Sequence, residues 1–115
     1  MSSNPKVMHN VVLALKEDAT KEEINKIFQT LVDFKEKNLD AGIVSFTWGP
    51  YQSHEGLNNG FNYGFSIVFE SIAARDAYIP HPEHDRVKSY IVPCLKDGLN
   101  SIVAFDWYLN GSNEF

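Results

Sequence analysis

A tyrosine and two histidines lie close together around a pair of prolines, in the segment Tyr78-Ile79-Pro80-His81-Pro82-Glu83-His84. If Pro82 occupies the first position of a helix, His84 lies in the first turn, near the positive end of the helix dipole. That position disfavours the imidazolium and favours a neutral ring that can act as a general base. The Tyr78 phenol, across the proline turn, could stabilise a developing enolate oxygen. The pattern fits proton abstraction from a carbon next to a carbonyl.

The histidines also have structural interpretations. A histidine in a first helical turn is often a surface or capping residue, and His81 is itself placed to cap the helix that Pro82 begins. His9 lies among aliphatic residues, where a core or interface histidine is as plausible as a pocket residue. His54 lies in a polar stretch and is expected to be solvated. Both interpretations stay open for His84 and His9.

Metal and cofactor chemistry have little support in the sequence. His81 and His84 are close in sequence, but no carboxylate in a defined geometry completes a metal site with them. Cys94 is the only cysteine, which excludes an internal disulfide and a cluster of thiolate ligands. Its position next to Pro93 indicates a buried packing residue. We therefore predict neither a metal nor a cofactor.

The pattern of apolar residues predicts the order β-α-β-β-α-β. Thr20 and Glu23 have the spacing of a capping box before an amphipathic helix that ends near Asn38. Ser71 is placed to cap a short helix through Tyr78, and a further helix is predicted from Pro82 through Leu95 to Gly98, bent or restarted at Pro93. The predicted strands are Val7–Leu15, Ile43–Trp48, Phe61–Phe69 and Ser101–Leu109.

This order predicts an α+β, ferredoxin-like fold, in which a four-stranded antiparallel sheet carries its helices on one face. Both faces of the first strand carry apolar residues, with Val11 and Leu13 on one side and Met8 and Val12 on the other. A second copy of the chain should therefore cover the face without helices. We expect a homodimer in which two sheets pair into an α/β barrel around a shared interior.

Composition restricts the function classes. The 115 residues indicate a single domain over 1–115, and the formal net charge of −5 argues against nucleic-acid binding. There is no run of apolar residues long enough to span a membrane, and the N-terminal segment does not resemble a signal peptide. We therefore expect a cytoplasmic protein that contacts neither nucleic acid nor membrane.

Several segments together resemble the stress-responsive dimeric α/β-barrel (Dabb) family. The resemblance covers roughly residues 7–108, and its most specific part is the Tyr-x-x-His-Pro-x-His segment after a Phe-Glu-Ser strand end. The family implies a homodimer whose two sheets form a barrel. Some members are described as stress-associated or antimicrobial plant proteins, and one is a polyketide cyclase that closes a linear chain by an aldol condensation without a metal.

The resemblance also implies site residues. The catalytic tyrosine and histidine of the cyclase fall on Tyr78 and His84, and a pocket histidine of its first strand falls on His9. Where the cyclase has a histidine on the third strand, this chain has Tyr63, so the polar lining of its pocket would differ. Together with His9, the candidate ligand-binding residues are Tyr63, Phe65 and His81.

Three functions follow as hypotheses. The first is a cofactor-free, cyclase-like enzyme or binder, in which a barrel pocket holds a small apolar ligand with a carbonyl group and His84 and Tyr78 act on it. The second is a stress-associated structural dimer without catalysis. The third is a cofactor-free monooxygenase of the related ferredoxin-like dimer type.

Overall fold

A computed structural model describes residues 5–109, which form one antiparallel sheet with helices packed against one face. The strands are β1 (Val7–Leu13), β2 (Ile43–Pro50), β3 (Tyr63–Phe69) and β4 (Ile102–Tyr108), and the helices are α1 (Lys21–Lys37), α2 (Ile72–Tyr78) and α3 (Pro82–Ile91). The strand order across the sheet is β2-β3-β1-β4, and every neighbouring pair is antiparallel. The predicted α+β, ferredoxin-like class is confirmed.

Local sequence signals explain where the helices begin. Thr20 caps α1 through a hydrogen bond of 3.1 Å from the Glu23 backbone N–H to its hydroxyl, and the Glu23 carboxylate accepts from the Thr20 backbone N–H at 2.8 Å. Ser71 caps α2 by accepting from the Ala74 backbone N–H. His81 caps α3, with Pro82 at the first helical position, where its missing N–H costs nothing. All three caps agree with the sequence pattern.

Several boundaries differ from the prediction: β1 ends at Leu13 instead of Leu15, β3 begins at Tyr63 instead of Phe61, and two further differences have a clear physical reason. Strand β2 continues through Gly49 to Pro50, because it lies at the edge of the sheet, where a proline need not donate to a neighbouring strand. The predicted continuation of α3 to Gly98 is wrong: the helix ends at Ile91, and a 3₁₀ turn over Val92–Cys94 follows. Leu95 is extended and forms a β-bridge with Leu15, because Pro93 cannot continue the helical hydrogen bonds.

The core lies between the sheet and the helices. Helix α1 places its apolar stripe against the sheet, and the side chains of β1 and β3 that point the same way are buried: Ile27, Phe28, Leu31, Phe34, Val11, Leu13, Phe65, Ile67 and Phe69. Within the described part of the chain, no helix is long and apolar enough to cross a membrane.

The opposite sheet face, called the open face below, carries exposed apolar side chains. Strand side chains alternate between faces, so Val12, Val103, Phe105 and Trp107 share this side. Phe105 keeps 64% of its surface exposed and Trp107 keeps 49%. The Asn10 side chain interrupts the apolar surface and hydrogen-bonds to Ser66 at 2.6 Å and to the Phe105 carbonyl at 3.0 Å.

Candidate functional site

A cavity of about 260 Å³ lies between the helix-covered face of the sheet and α3. Its lining is mostly aliphatic and aromatic, and the polar side chains in it are His9, Tyr78, His84 and Lys88. The remaining lining residues are Val11, Leu13, Phe65, Ile79, Val87, Ile91, Val92, Leu99, Ile102 and Ala104. Such a lining suits a small apolar ligand that a few polar groups orient.

The cavity lies within a single chain, on the helix side of the sheet. This place differs from the interior that two paired sheets would share. It forms because α3 packs beside α1, which lies over β2 and β3, so that no helix closes over β4. Ala104 of β4 points to the helix side and yet remains exposed. The cavity is therefore open along this edge of the sheet.

Tyr78, the last residue of α2, has its ring buried between the helix and the sheet. Only 4% of its surface is exposed, and its ring contacts Phe34 and Phe69. Burial raises the pKa of the Tyr78 phenol, so the hydroxyl keeps its proton. The hydroxyl has no hydrogen-bond partner among residues 5–109, and it is not among their fully enclosed polar atoms. Because Tyr78 lines the cavity, this hydroxyl is a donor available there.

His84 is the third residue of α3 and lies edge-on to Tyr78, with the ring centroids 4.8 Å apart. Burial lowers the pKa of His84, and the charge of Lys88, together with that of His9 when its ring is protonated, lowers it further, while Asp85 and the Ile79 carbonyl act in the opposite direction. The sequence attributed a neutral ring to the helix dipole, and the structure adds burial as a cause that acts in the same direction. Among the described residues, the His84 Nδ1 is fully enclosed and makes no hydrogen bond of good geometry, so the backbone interaction of the ring with Ile79 is a weak one. Its Nε2 is not enclosed and remains available to a ligand.

His9 is the end of a hydrogen-bonded chain with two charged residues. Its Nδ1 lies 2.8 Å from Oδ1 of Asp106, and Oδ2 of Asp106 accepts from Nη1 of Arg75 at 2.7 Å. The hydrogen bond to Asp106, followed by that to Asp76, raises the pKa of Arg75. The His9 ring is 7% exposed and lies 6.5 Å from the Tyr78 ring, edge-on. His9, Tyr78 and His84 thus meet at one end of the cavity.

The other predicted site residues divide between two places. Phe65 lines the cavity beside His9. Tyr63 lies farther along β3, where its ring stacks on Phe28 at 6.0 Å, outside the cavity lining. His81 also lies outside it: its Nδ1 accepts from the Glu83 backbone N–H at 3.0 Å, and its ring packs on Phe34. The structure therefore gives His81 a capping role and Tyr63 a packing role.

The remaining candidates lie elsewhere. His54 is exposed in the connection between β2 and β3, and Cys94 is buried near Glu23. Within residues 5–109 no three histidine, cysteine or acidic side chains are grouped so that they could hold a metal ion. Two charged residues near the site were not predicted as site residues, namely Arg75 and Lys88. Asp106 stands between Phe105 and Trp107 in the sequence, where a carboxylate requires a partner, and its partners are the side chains of His9 and Arg75.

The arrangement combines a proton acceptor with a hydrogen-bond donor. A neutral imidazole at His84 can accept a proton, and a protonated phenol at Tyr78 can donate to an oxygen nearby. The surrounding apolar lining strengthens both interactions, because it lowers the local dielectric constant.

Comparisons with known proteins agree with this architecture. The model of the Stress responsive A/B Barrel Domain (Dabb) family matches residues 7–109. The Stress-response A/B barrel domain-containing protein At5g22580 of Arabidopsis thaliana is 38% identical over 77 residues, and the match covers 66% of this chain and 65% of that protein. This chain thus spans slightly less than two thirds of that relative's length.

Two further proteins bear on fold and chemistry. Olivetolic acid cyclase of Cannabis sativa is 27% identical over 78 residues, which cover 68% of this chain and 75% of the cyclase. The crystal structure of a dimeric ferredoxin-like protein of unknown function from Jannaschia sp. CCS1 is similar with a TM-score of 0.81 and 26% identity, over 90% of this chain and 99% of that one. With a family model that matches nearly all described residues, the chain belongs to the Dabb family.

Proposed function

We propose that this protein is a homodimer in which each protomer binds a small, apolar, carbonyl-bearing ligand and abstracts a proton next to the carbonyl. The observation that carries the proposal is the contact between Tyr78 and His84 at the end of an apolar cavity, with 4.8 Å between their ring centroids. A general base and an oxyanion donor are thereby directed at the same small volume.

The reaction step follows from the two protonation states. His84 Nε2 takes a proton from the carbon next to the carbonyl, and the electron pair of the broken C–H bond moves onto the carbonyl oxygen as an enolate. Because burial lowers the pKa of His84, its lone pair is free near neutral pH. Because burial raises the pKa of Tyr78, its hydroxyl remains a donor to the enolate oxygen. The enolate then attacks a second carbonyl of the ligand or takes a proton back.

The similarity to olivetolic acid cyclase supports a cyclase-like reaction of this kind. The third-strand position at which the sequences differ, Tyr63, lies outside the cavity lining, so this difference does not alter the polar groups around His84. The cavity of about 260 Å³ limits the enclosed part of the ligand to about one ring or a short chain.

The dimer is proposed to form through the open face. Val12, Val103, Phe105 and Trp107 would expose a large apolar surface on a monomer, and apolar patches of this kind usually mark interaction sites. A second copy is the proposed occupant because the similar Jannaschia protein is described as dimeric. Because the cavity lies on the other side of the sheet, each protomer keeps its own site.

Ligand-induced stabilisation tests the proposal. A medium-chain alkyl β-diketone should raise the melting temperature of the wild-type protein in a concentration-dependent way, because a ligand that prefers the native state stabilises it by mass action. The corresponding diol, which lacks the carbonyl groups, should raise it less. Tyr78→Phe and His84→Phe should reduce the effect of the diketone. Tyr63→Phe is the matched control and should retain it.

A flat response of the wild-type protein to both compounds would contradict the proposal. That result would favour the alternative of a non-catalytic, stress-associated dimer. An equal loss in Tyr63→Phe would also contradict it, because Tyr63 does not line the cavity.

A further inference from the structure

A chain of three charged or polar side chains runs from α2 to the cavity. Arg75 of α2 donates to Oδ2 of Asp106 at 2.7 Å, and Oδ1 of the same carboxylate lies 2.8 Å from Nδ1 of His9. His9 and Asp106 are directly opposed on the neighbouring strands β1 and β4. The side chains of Arg75 and Asp106 are three quarters or more buried, so water screens this chain little.

The partners decide which nitrogen of His9 carries hydrogen. An ionised carboxylate only accepts hydrogen bonds, and Oδ2 of Asp106 accepts one from the Arg75 guanidinium, which only donates. The His9 Nδ1 therefore bears the hydrogen of the 2.8 Å contact. The Nε2 of His9 has no partner among residues 5–109 and is not enclosed, so it opens into the cavity that His9 lines.

Arg75 also fixes the orientation of the Asp106 carboxylate. Its guanidinium donates to Oδ2, so that Oδ1 faces the Nδ1 of His9. With hydrogen on Nδ1, the Nε2 of His9 presents a lone pair.

We propose that Arg75 is a positioning residue that acts through Asp106 to hold His9 in the tautomer with hydrogen on Nδ1 and the Nε2 lone pair directed into the cavity. The inference deepens the proposed function, on which its statement about ligands rests. The cavity end then offers one donor, the Tyr78 hydroxyl, and acceptors at Nε2 of His9 and of His84. A ligand that fits carries a hydroxyl or enol hydrogen for His9 close to a carbonyl oxygen for Tyr78.

Arg75 also connects α2 to β4, so a loss of stability alone would not distinguish positioning from a purely structural role. The deciding measurement is the tautomer of His9, observed by long-range ¹H–¹⁵N correlation in protein labelled at histidine. At about pH 8, where histidine is ordinarily neutral, the wild-type His9 should show hydrogen on Nδ1 alone. This is the opposite of the tautomer that histidine prefers in water. Hydrogen on Nε2 would overturn the proposal.

Variants then separate the contribution of Arg75. In Arg75→Met, the Asp106 carboxylate loses the donor that orients it, so His9 should lose the single Nδ1–H state and give an average of the two tautomers. Arg75→Lys, which keeps the charge and a donor, should retain the wild-type state. Arg86→Met is the matched control, because the Arg86 guanidinium contacts Glu83 and Tyr90 instead. An unchanged His9 spectrum in Arg75→Met would contradict the positioning role and leave Arg75 with only its structural contact between α2 and β4. If Arg75→Met does not fold, the wild-type and Arg75→Lys spectra still decide the matter.

A ligand comparison tests the consequence for specificity. A medium-chain β-hydroxyketone should bind the wild-type protein roughly three- to tenfold more tightly than the ketone of equal length, as one added hydrogen bond provides. The difference should disappear in Arg75→Met and persist in Arg86→Met. Equal affinities in the wild type would contradict this consequence. The tautomer measurement contains no ligand, so it can fail while the proposed Tyr78–His84 chemistry stands, and the reverse is equally possible.

Discussion

Replacing His84 with phenylalanine is expected to stabilise the folded protein while removing its proposed base. The His84 Nδ1 is enclosed and makes no hydrogen bond of good geometry among the described residues, and the Ile79 backbone is only a weak partner of the ring. A polar atom in this situation has lost its bonds to water without replacing them, which destabilises the native state. A phenyl ring keeps the edge-on contact with Tyr78 and carries no such atom.

The magnitude follows from two opposing contributions. Relief of an unpartnered buried nitrogen is worth about 1–3 kcal/mol. The phenyl ring is larger than imidazole, and accommodating it costs less than about 1 kcal/mol, because one side of the ring borders the cavity. We expect a net gain of about 1 kcal/mol, which corresponds to a rise of about 4 °C in Tm for a domain of this size.

Urea unfolding followed by circular dichroism measures the change, at one fixed protein concentration because a dimer's stability depends on it. His81→Phe is the matched control in the same helical turn. The His81 side chain caps α3, so its replacement should lower the free energy of unfolding by about 1 kcal/mol. The two substitutions are chemically identical and should have opposite signs.

The pH dependence gives a second readout. Because burial lowers the pKa of His84, the unfolded chain binds more protons than the folded one between that lowered value and the ordinary value of about 6.5. Stability of the wild type should therefore fall as pH decreases through about 6.5, and this contribution should level off below the lowered pKa. His84→Phe lacks this contribution, so its advantage should grow towards acidic pH. A variant less stable than the wild type at neutral pH, with no growth of the difference in acid, would refute the reasoning.

Two further predictions concern the framework of the site. Gly42→Ala should lower the free energy of unfolding by about 2–4 kcal/mol, because Gly42 has a φ of +81° and a Cβ there would lie 2.7 Å from that of Ala74. Gly98→Ala is the control, with a φ of +50° and nothing within 4 Å of the added Cβ. It should lower the free energy of unfolding by only about 1 kcal/mol in the same urea titration. Phe105→Lys on the open face should convert the dimer to a folded monomer, as measured by sedimentation velocity at micromolar concentration. Leu39→Lys, at a residue with 86% of its surface exposed, should leave the protein dimeric. A dimer in both variants would place the interface elsewhere.

Short-range signals in the sequence predicted much of the framework. The caps at Thr20, Ser71 and His81 depend on residues two or three positions apart, and the structure contains all three. The extent of β2 was not predictable in this way, because a proline stops a strand in the middle of a sheet but not at its edge. The position of Leu95 likewise depends on a partner, Leu15, far away in the sequence.

In the candidate site, too, contacts between residues close in sequence were predictable, and contacts between distant residues were not. Tyr78 and His84 are close in sequence, and the prolines between them bring their rings into contact as expected. His9 and Asp106 are 97 positions apart, and Arg75 and Asp106 are 31 apart, so only the strand register and the docking of α2 bring them together. The location of the cavity was not predictable because it depends on which strand the helices leave uncovered.

Hydrogen–deuterium exchange at the carbon next to a carbonyl tests the central claim most directly, because it reports proton abstraction whatever reaction follows. A medium-chain alkyl methyl ketone in D₂O near neutral pD can be followed by proton NMR with and without the protein. We predict that the wild-type protein accelerates the loss of the proton signals from the carbon next to the carbonyl. His84→Phe should abolish this acceleration and Tyr78→Phe should reduce it. Tyr63→Phe should retain it. Exchange at the rate of buffer alone with the wild-type protein, or undiminished acceleration by His84→Phe, would contradict the assignment of His84 as the base.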